Sequence, residues 1–190
     1  MIILKRDLSK DYQTGFTLAE MIIVFGIVAV LSGSFIYNFR ATAANRGARN
    51  QISSIIVSDI RRVQSMALAG SNQQGQIVCG FGTHYVNTQS YLLYSKMPIG
   101  GSCALAIRNY LSGDPIIETK MIDNTNFQLS AAFSDIFFEP PDPKTYINNV
   151  STISPLVTTD INIVLKGQAC TAQNCTTVTI STAGTIDITN

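Results

Sequence analysis

FTLAEMIIVFGIVAVLSGSFIY, running from Phe16 to Tyr37, is the stretch that decides the architecture. It carries one charge, Glu20, among apolar, small and hydroxyl-bearing residues. About twenty such residues in a helix match the ~30 Å hydrocarbon core of a bilayer. The preceding segment, MIILKRDLSKDYQTG, sets Lys5, Arg6 and Lys10 against Asp7 and Asp11. That Lys/Arg excess favours a cytoplasmic N-terminus, with the chain leaving the cytoplasm after residue 37. Arg40, Arg46 and Arg49 lie on the far side and weigh against this orientation.

Two plainer readings compete. An ordinary secretory signal would use Ala41-Thr42-Ala43 as its small-residue cleavage site. Such a signal has an apolar core of roughly 7–15 residues, shorter than this run, and no carboxylate at its start. A plain signal anchor on an unrelated domain explains the hydrophobicity but not Glu20. An ionised carboxylate in a membrane helix costs on the order of a few kcal/mol at full depth and less near the interface. It calls for a cationic partner or a neutral form. No Lys or Arg lies within two turns on its C-terminal side, and Lys10 is ten residues away on the other. A cut after Gly15 would supply a partner, the new α-amino group of Phe16, four residues before Glu20. That amine, with a reference pKa of about 7.7–8.0, is largely protonated near pH 7.

Gly15-Phe16-Thr17-Leu18-Ala19-Glu20, after a short basic leader and before an apolar helix, resembles the prepilin peptidase motif of type IV pilins and pseudopilins. The usual form is G followed by F-T-L-I-E-L; Ala19 and Met21 are mild departures at its two variable apolar places. The resemblance implies cleavage between Gly15 and Phe16 and N-methylation of Phe16. It also implies that Glu20 pairs with the terminal amine of a neighbouring subunit during assembly. The implied partners are a prepilin peptidase, other pilins or pseudopilins in a helical fibre, and an inner-membrane assembly platform.

The helix is expected to continue. Between Asn38 and Ala69 there is no Pro, and Gly47 is the only Gly. Ile52, Ile55, Ile56, Ile60, Val63, Met66 and Ala67 recur at three- and four-residue spacing, a stripe for packing against a head domain. Gly70-Ser71-Asn72 is a suitable stop. A stem from Phe16 to Ala69 would be about 80 Å long at 1.5 Å per residue. Many pilins carry an early helix-kinking Pro; with none here, bending falls to Gly26 or Gly33.

After residue 70 the period changes to that of strands. The expected strands cover Gln76–Gly82 with Thr83–Val86, Ser90–Ser95, Ile116–Thr119, Asn126–Leu129, Asp135–Phe138, Asp160–Leu165, Thr176–Ser181 and Thr185–Thr189. Glu139-Pro140-Pro141-Asp142-Pro143 reads as a break, and residues 141–158 as a long polar excursion. The expected fold class is α+β: a long N-terminal membrane and stem helix packed on a small antiparallel head, type IV pilin-like. The segments are a leader (1–15), a transmembrane and assembly helix (16–37), the second half of the stem (38–69) and an exported β-rich head (70–190). The order of helix, C-G-F-G, Tyr-rich strand, F-F-E-P-P and V-T-I-S-T-A-G-T-I is similar to GspH/FimT-like minor pseudopilins, by pattern more than by identity. In that family a closing strand pair is often joined around a Gly, matched by Gly184.

Cys79, Cys103, Cys170 and Cys175 all follow the membrane segment, where an oxidising compartment is expected. Four Cys permit three pairings. Cys170 and Cys175 flank Thr171-Ala172-Gln173-Asn174 between two strand candidates, so a hairpin-closing bridge is local; Cys79–Cys103 would be the second. Zinc lacks ligands, since there is no CxxC spacing and His84 is the only His.

Composition excludes several functions. Charged residues are 13% and the formal net charge is +1, so no strongly basic nucleic-acid footprint exists overall. His84 would have to serve any Ser/His/Asp set, sits in a strand pattern, and has no G-x-S-x-G elbow to work with. No enzyme and no cofactor is expected. Asp142 with Asp160 or Glu139 could in principle hold calcium, but nothing spaces them as a loop site and they read as solvated turn residues. Gly80-Phe81-Gly82 lacks the third Gly and the helix of a phosphate loop and reads as a strand bulge. The sequence thus points to a structural subunit of a type IV pilus or a type II secretion pseudopilus. It would be a single-pass cytoplasmic-membrane protein with its head outside, then part of a fibre in the periplasm or at the cell surface. The alternative is a FimT-like minor pilin whose head binds DNA or a surface. In such proteins a basic C-terminal region serves DNA uptake, whereas Thr185–Asn190 has no Lys or Arg.

Overall fold

The computed structural model describes residues 17–70, 72–73, 75–141, 144–171 and 174–189, without side chains for 37–42 and 72–73. The chain divides into two compact units, Met1–Ala44 and Asn45–Asn190. One helix, α1 (Leu18–Ala69), contributes to both. It ends where Gly70 takes φ 114° and donates its N–H to Ala67 O at 3.4 Å. A residue without Cβ adopts that conformation without strain, so Gly70 closes the helix.

In the first unit, Leu18–Ile36 is long and apolar enough to cross a membrane, and none of that window is buried. Phe25, Leu31 and Phe35 stand 65%, 63% and 70% exposed. A helix that is apolar all round suits lipid or the interior of an assembly, not an aqueous surface.

In the second unit, residues 45–69 are amphipathic. Arg49, Ile52, Ser53, Ile56, Val57, Asp59, Ile60, Val63 and Ala67 are buried. At 100° per residue, positions 49, 56, 60, 63 and 67 fall within about 60° of arc, a narrow strip facing the strands. The expected stripe holds except at Ile55, which is 51% exposed, and Met66, which is only partly buried. Position 55 lies well outside that arc.

The fold class is α+β, as expected, with the strands divided between two sheets. The first is five-stranded and antiparallel: β5 (Ile116–Met121), β4 (Ser90–Lys96), β3 (Gly80–Asn87), β7 (Ile136–Glu139) and β8 (Lys144–Ile147), in that order. The second is four-stranded: β11 (Ile186–Thr189), β10 (Cys175–Ser181), β9 (Thr158–Leu165) and β6 (Phe127–Leu129). A short ribbon pairs β1 (Asn72–Gln73) with β2 (Gln76–Ile77). One core joins Ile56, Ile60 and Val63 of the helix to Phe81, Leu93, Ile136, Phe138, Leu129, Ile163 and Val178 of the strands. On the other face of the five-stranded sheet, Leu92, Tyr94 and Phe137 form a second cluster with Tyr110 and Tyr146. Strand β4 is therefore buried along its whole length, which is why Tyr91-Leu92-Leu93-Tyr94 lacks alternation.

Two expectations are corrected here. The excursion at 141–158 contains β8, an edge strand with Thr145 and Ile147 inward and Tyr146 half-buried on the opposite face. Four residues of alternation beside a Pro-rich break give too short a signal to read. Gly80–Gly82 is not a bulge: pairing with β4 is regular from Gly80 to Tyr85, and the irregularities fall at Tyr85/Asn87 and Leu93/Tyr94. The glycines serve close packing instead. A Cβ at Gly80 would lie 2.3 Å from Phe138 O, and one at Gly82 would lie 2.6 Å from Tyr94 Cζ.

Candidate functional site: the helix start and the pinned head

Thr17 precedes the first helical residue and caps it. Glu20 N donates to Thr17 Oγ1 at 3.2 Å. Thr17 N and Thr17 Oγ1 each donate to Glu20 Oε2 at 3.0 Å. This is a capping box, Thr at the cap and Glu three residues on, which satisfies helix-start donors that otherwise have no partner. The expectation that Glu20 needs a cation or a proton is thereby modified: local donors hold one carboxylate oxygen. The T-x-x-E spacing was the legible signal for it. Oε1 has no partner among the described residues, and the side chain is exposed. Gly15 and Phe16, the expected cleavage and methylation positions, lie outside the described residues. Further along, Ser34 Oγ donates to Leu31 O at 2.9 Å, so this hydroxyl asks nothing of lipid.

The head is pinned by both expected disulfides. Cys79–Cys103 has its Cα atoms 5.2 Å apart, and Cys170–Cys175, between β9 and β10, 5.0 Å apart. Cys103 belongs to the connection from β4 to β5, which lies over the second cluster through Tyr110. Three polar contacts fasten the same connection. Lys96 Nζ meets Asp114 Oδ2 at 2.5 Å, Tyr110 N donates to Asp135 Oδ2 at 2.7 Å, and Arg108 N donates to Asn149 Oδ1 at 3.0 Å. A connection of this length with little regular structure owes its form to such tertiary ties.

A polar network ties the helix to β4 and β5. Tyr91 Oη donates to Asp59 Oδ2 at 2.6 Å, and Lys120 Nζ lies 3.5 Å from Asp59 Oδ1. Lys120 Nζ also meets Glu118 Oε1 at 2.7 Å, and Arg62 Nη1 meets Glu118 Oε2 at 2.7 Å. The hydrogen bond from Lys120, then that from Arg62, lowers the Glu118 carboxyl below its ordinary value. The same bond to Glu118 raises Lys120. Burial, then the bond to Asp59, raises the Tyr91 phenol.

His84 is a half-buried strand residue, as expected; its Nδ1 lies 2.6 Å from Asp135 Oδ1 and its ring 4.6 Å from that of Tyr110. Asp135 is the partner that sequence reasoning missed, 51 residues away. Glu139 is corrected from a turn residue to the last residue of β7, and Asp160 lies within β9, where the strand expectation placed it, not in a turn. Glu139 takes Arg108 Nη2 at 2.9 Å and Tyr146 Oη at 2.5 Å; Asp160 Oδ1 takes Thr179 Oγ1 at 2.7 Å. Asp142 lies outside the described residues. Among the described residues, no group of three or more His, Cys, Asp and Glu could hold a metal ion.

An N-terminal apolar helix with antiparallel sheets, its first turn marked by a capped acid, is a type IV pilin-like arrangement. Residues 10–36 match the family model for the prokaryotic N-terminal methylation motif. The match covers residues 10–15 and the membrane-length helix that follows. It supports the pilin and pseudopilin superfamily, and it implies processing by prepilin peptidase and assembly with other pilins. It is consistent with a single-pass membrane anchor. No curated protein and no solved structure matches the chain.

Proposed function

We propose that this chain is a non-enzymatic structural subunit, a GspH/FimT-like minor pilin or pseudopilin, of a type II secretion pseudopilus or a type IV pilus. The observation that carries the reading is the capped acid at the head of a fully exposed apolar helix, inside a matched methylation motif. Cleavage between Gly15 and Phe16 would free the Phe16 amine, which is then methylated. Thr17 holds one oxygen of Glu20 and leaves the other for the amine of an incoming copy. In the membrane, lipid covers Leu18–Ile36; in the fibre, the same surfaces of neighbouring copies cover one another. Little apolar area meets water at either stage, so the ion pair can set register without opposing a hydrophobic cost. DNA binding is not assigned: the last strand, Ile186–Thr189, carries Asp187 and no cation, so counterion release would contribute little there.

The deciding experiment is mass spectrometry of the N-terminus of protein taken from its own cells. The expected species starts at N-methyl-Phe16, and an intact Met1 on the fibre-forming or membrane-resident product would end the proposal. Gly15→Ala should keep the precursor at full length. Glu20→Ala should be cut normally yet enter fibres poorly.

A further inference from the structure

Within the second unit, a cavity of about 460 Å³ opens between the helix and the end of β5. Ile52, Ile55 and Ile56 line it from the helix, and Ile122, just past β5, from the sheet. Ile52, Ile56 and Ile122 are buried, whereas Ile55 is 51% and Met121, also on the lining, 71% exposed. A volume of this size falls in the range of clefts that accept a ligand or an anchoring side chain, roughly 300–1,000 Å³. The wall is apolar enough to favour a hydrocarbon stem over water.

Two charged side chains lie on the same lining among the described residues, Lys120 and Asp123. Lys120 is engaged, with Nζ 2.7 Å from Glu118 Oε1 and 3.5 Å from Asp59 Oδ1. Asp123, in the connection from β5 to β6, is exposed and has no hydrogen-bond or ion-pair partner among the described residues. The cavity therefore sets one unmatched negative charge beside an apolar wall. Beside it, β5 is the end strand of its sheet and pairs with β4 alone, so its outer edge has no strand partner among the described residues. Charges commonly guard such an edge, but Glu118 and Lys120 are taken up by each other, by Arg62 and by Asp59.

We propose that this groove docks an extended segment of a partner protein through an arginine side chain of that segment. The aliphatic stem of an arginine suits the isoleucine wall, and its guanidinium supplies the charge that Asp123 lacks, in a two-pronged contact. An acidic segment would meet Asp123 with like charge, and a plain alkyl chain would leave the acid unmatched. The open edge of β5 favours an extended partner: an added strand pairs by its backbone and turns alternate side chains to one side. A partner surface would also cover Ile55 and Met121, which a ligand held inside the cavity would leave in water.

The probe is a short peptide of alternating valine and threonine with arginine at its centre and a fluorophore at one end. The full-length chain is held in phosphatidylcholine nanodiscs, whose lipid has no net charge to attract the peptide, and fluorescence anisotropy reads binding. Binding should saturate. Citrulline in place of arginine keeps the shape and removes the charge, and should weaken binding about five-fold. Asp123→Asn should weaken the arginine peptide about five-fold and leave the citrulline peptide unchanged, the mark of one shared contact. Ile55→Gln, at an exposed position, should weaken both peptides alike. Asp187→Asn, which removes an acid outside the cavity, should change neither. Binding that fails to saturate, or that empty nanodiscs reproduce, overturns the proposal. So do equal affinities for the two peptides; if decyl maltoside then displaces both, the groove is a site for alkyl chains. Variants that alter self-association of the chain and leave peptide affinity untouched make the occupant a second copy, and overturn it too.

Discussion

Tyr91 of β4 donates a 2.6 Å hydrogen bond to Asp59 of the helix, across 32 residues of sequence and inside the core. Tyr91 is 3% exposed and Asp59 7%. The contact joins an acid that could not otherwise be buried to a hydroxyl that needs an acceptor, and Lys120 completes it. Tyr91→Phe should cost about 1–2 kcal/mol, and Asp59→Leu more, because it leaves both the hydroxyl and Lys120 short of a partner. Chemical denaturation of the two variants checks the order. Equal losses would mean that Lys120 contributes nothing to the pair.

Ile60 is 1% exposed at the middle of the buried strip, and Ile55, five residues earlier and on another face of the helix, is half in solvent. Ile60→Ala is expected to cost about 2–5 kcal/mol through the lost transfer energy and the cavity. Ile55→Ala should cost well under half of that. Matched unfolding curves for the two variants would contradict the packing described above.

Gly80 and Gly82 leave no room for a methyl group. At Gly80 the obstacle is a backbone oxygen, Phe138 O, which cannot move without breaking the pairing of β3 with β7. Gly80→Ala should therefore destabilise by roughly 3 kcal/mol or more, and Gly82→Ala comparably, since there the backbone oxygen of Ile136 at 2.7 Å and the buried ring of Tyr94 at 2.6 Å both stand in the way. Gly184→Ala, whose nearest obstacle is a side-chain hydroxyl at 3.3 Å, should chiefly reflect its φ of 81°. The three unfolding midpoints rank the sites.

The disulfides enclose loops of different length, with sequence separations of 24 and 5. Chain entropy assigns about 3.5 kcal/mol to Cys79–Cys103 and about 2 kcal/mol to Cys170–Cys175. Paired Cys→Ser replacements should follow that order, with loss of Cys79–Cys103 also exposing the 97–115 connection to proteolysis. A larger loss from Cys170–Cys175 would reverse it.

Tyr91 and Tyr94 should resist alkaline ionisation. Burial raises both phenols above the ordinary value of 10.0; the Asp59 bond and charges at Asp59 and Glu118 add to this at Tyr91, and the charges of Asp135 and Asp114 at Tyr94. A raised folded-state value means that their contribution is complete below pH 10 and is lost as pH climbs above it. Absorbance titration should show Tyr91 and Tyr94 ionising late, together with unfolding. Tyr91→Phe/Tyr94→Phe should remove only that late phase. A titration curve that the double variant leaves unchanged in its late part would refute the assignment.

The sequence alone was enough for whatever depends on near neighbours. A run of apolar residues sets a membrane-length helix, three- and four-residue spacing sets the buried strip, and Gly70 sets its end. Alternation marked β9 and β10, and all four cysteines pair as their positions suggested. The Glu20 cap is likewise written locally, in T-x-x-E. Tertiary structure alone decided the split into two sheets, the place of β8, the reason for Gly80 and Gly82, and the partners of His84, Glu139 and Asp59. It also placed Arg49 on the buried side and Ile55 on the exposed one. Those outcomes depend on which distant surfaces meet, and local periodicity carries no record of the partner on the other side of a contact.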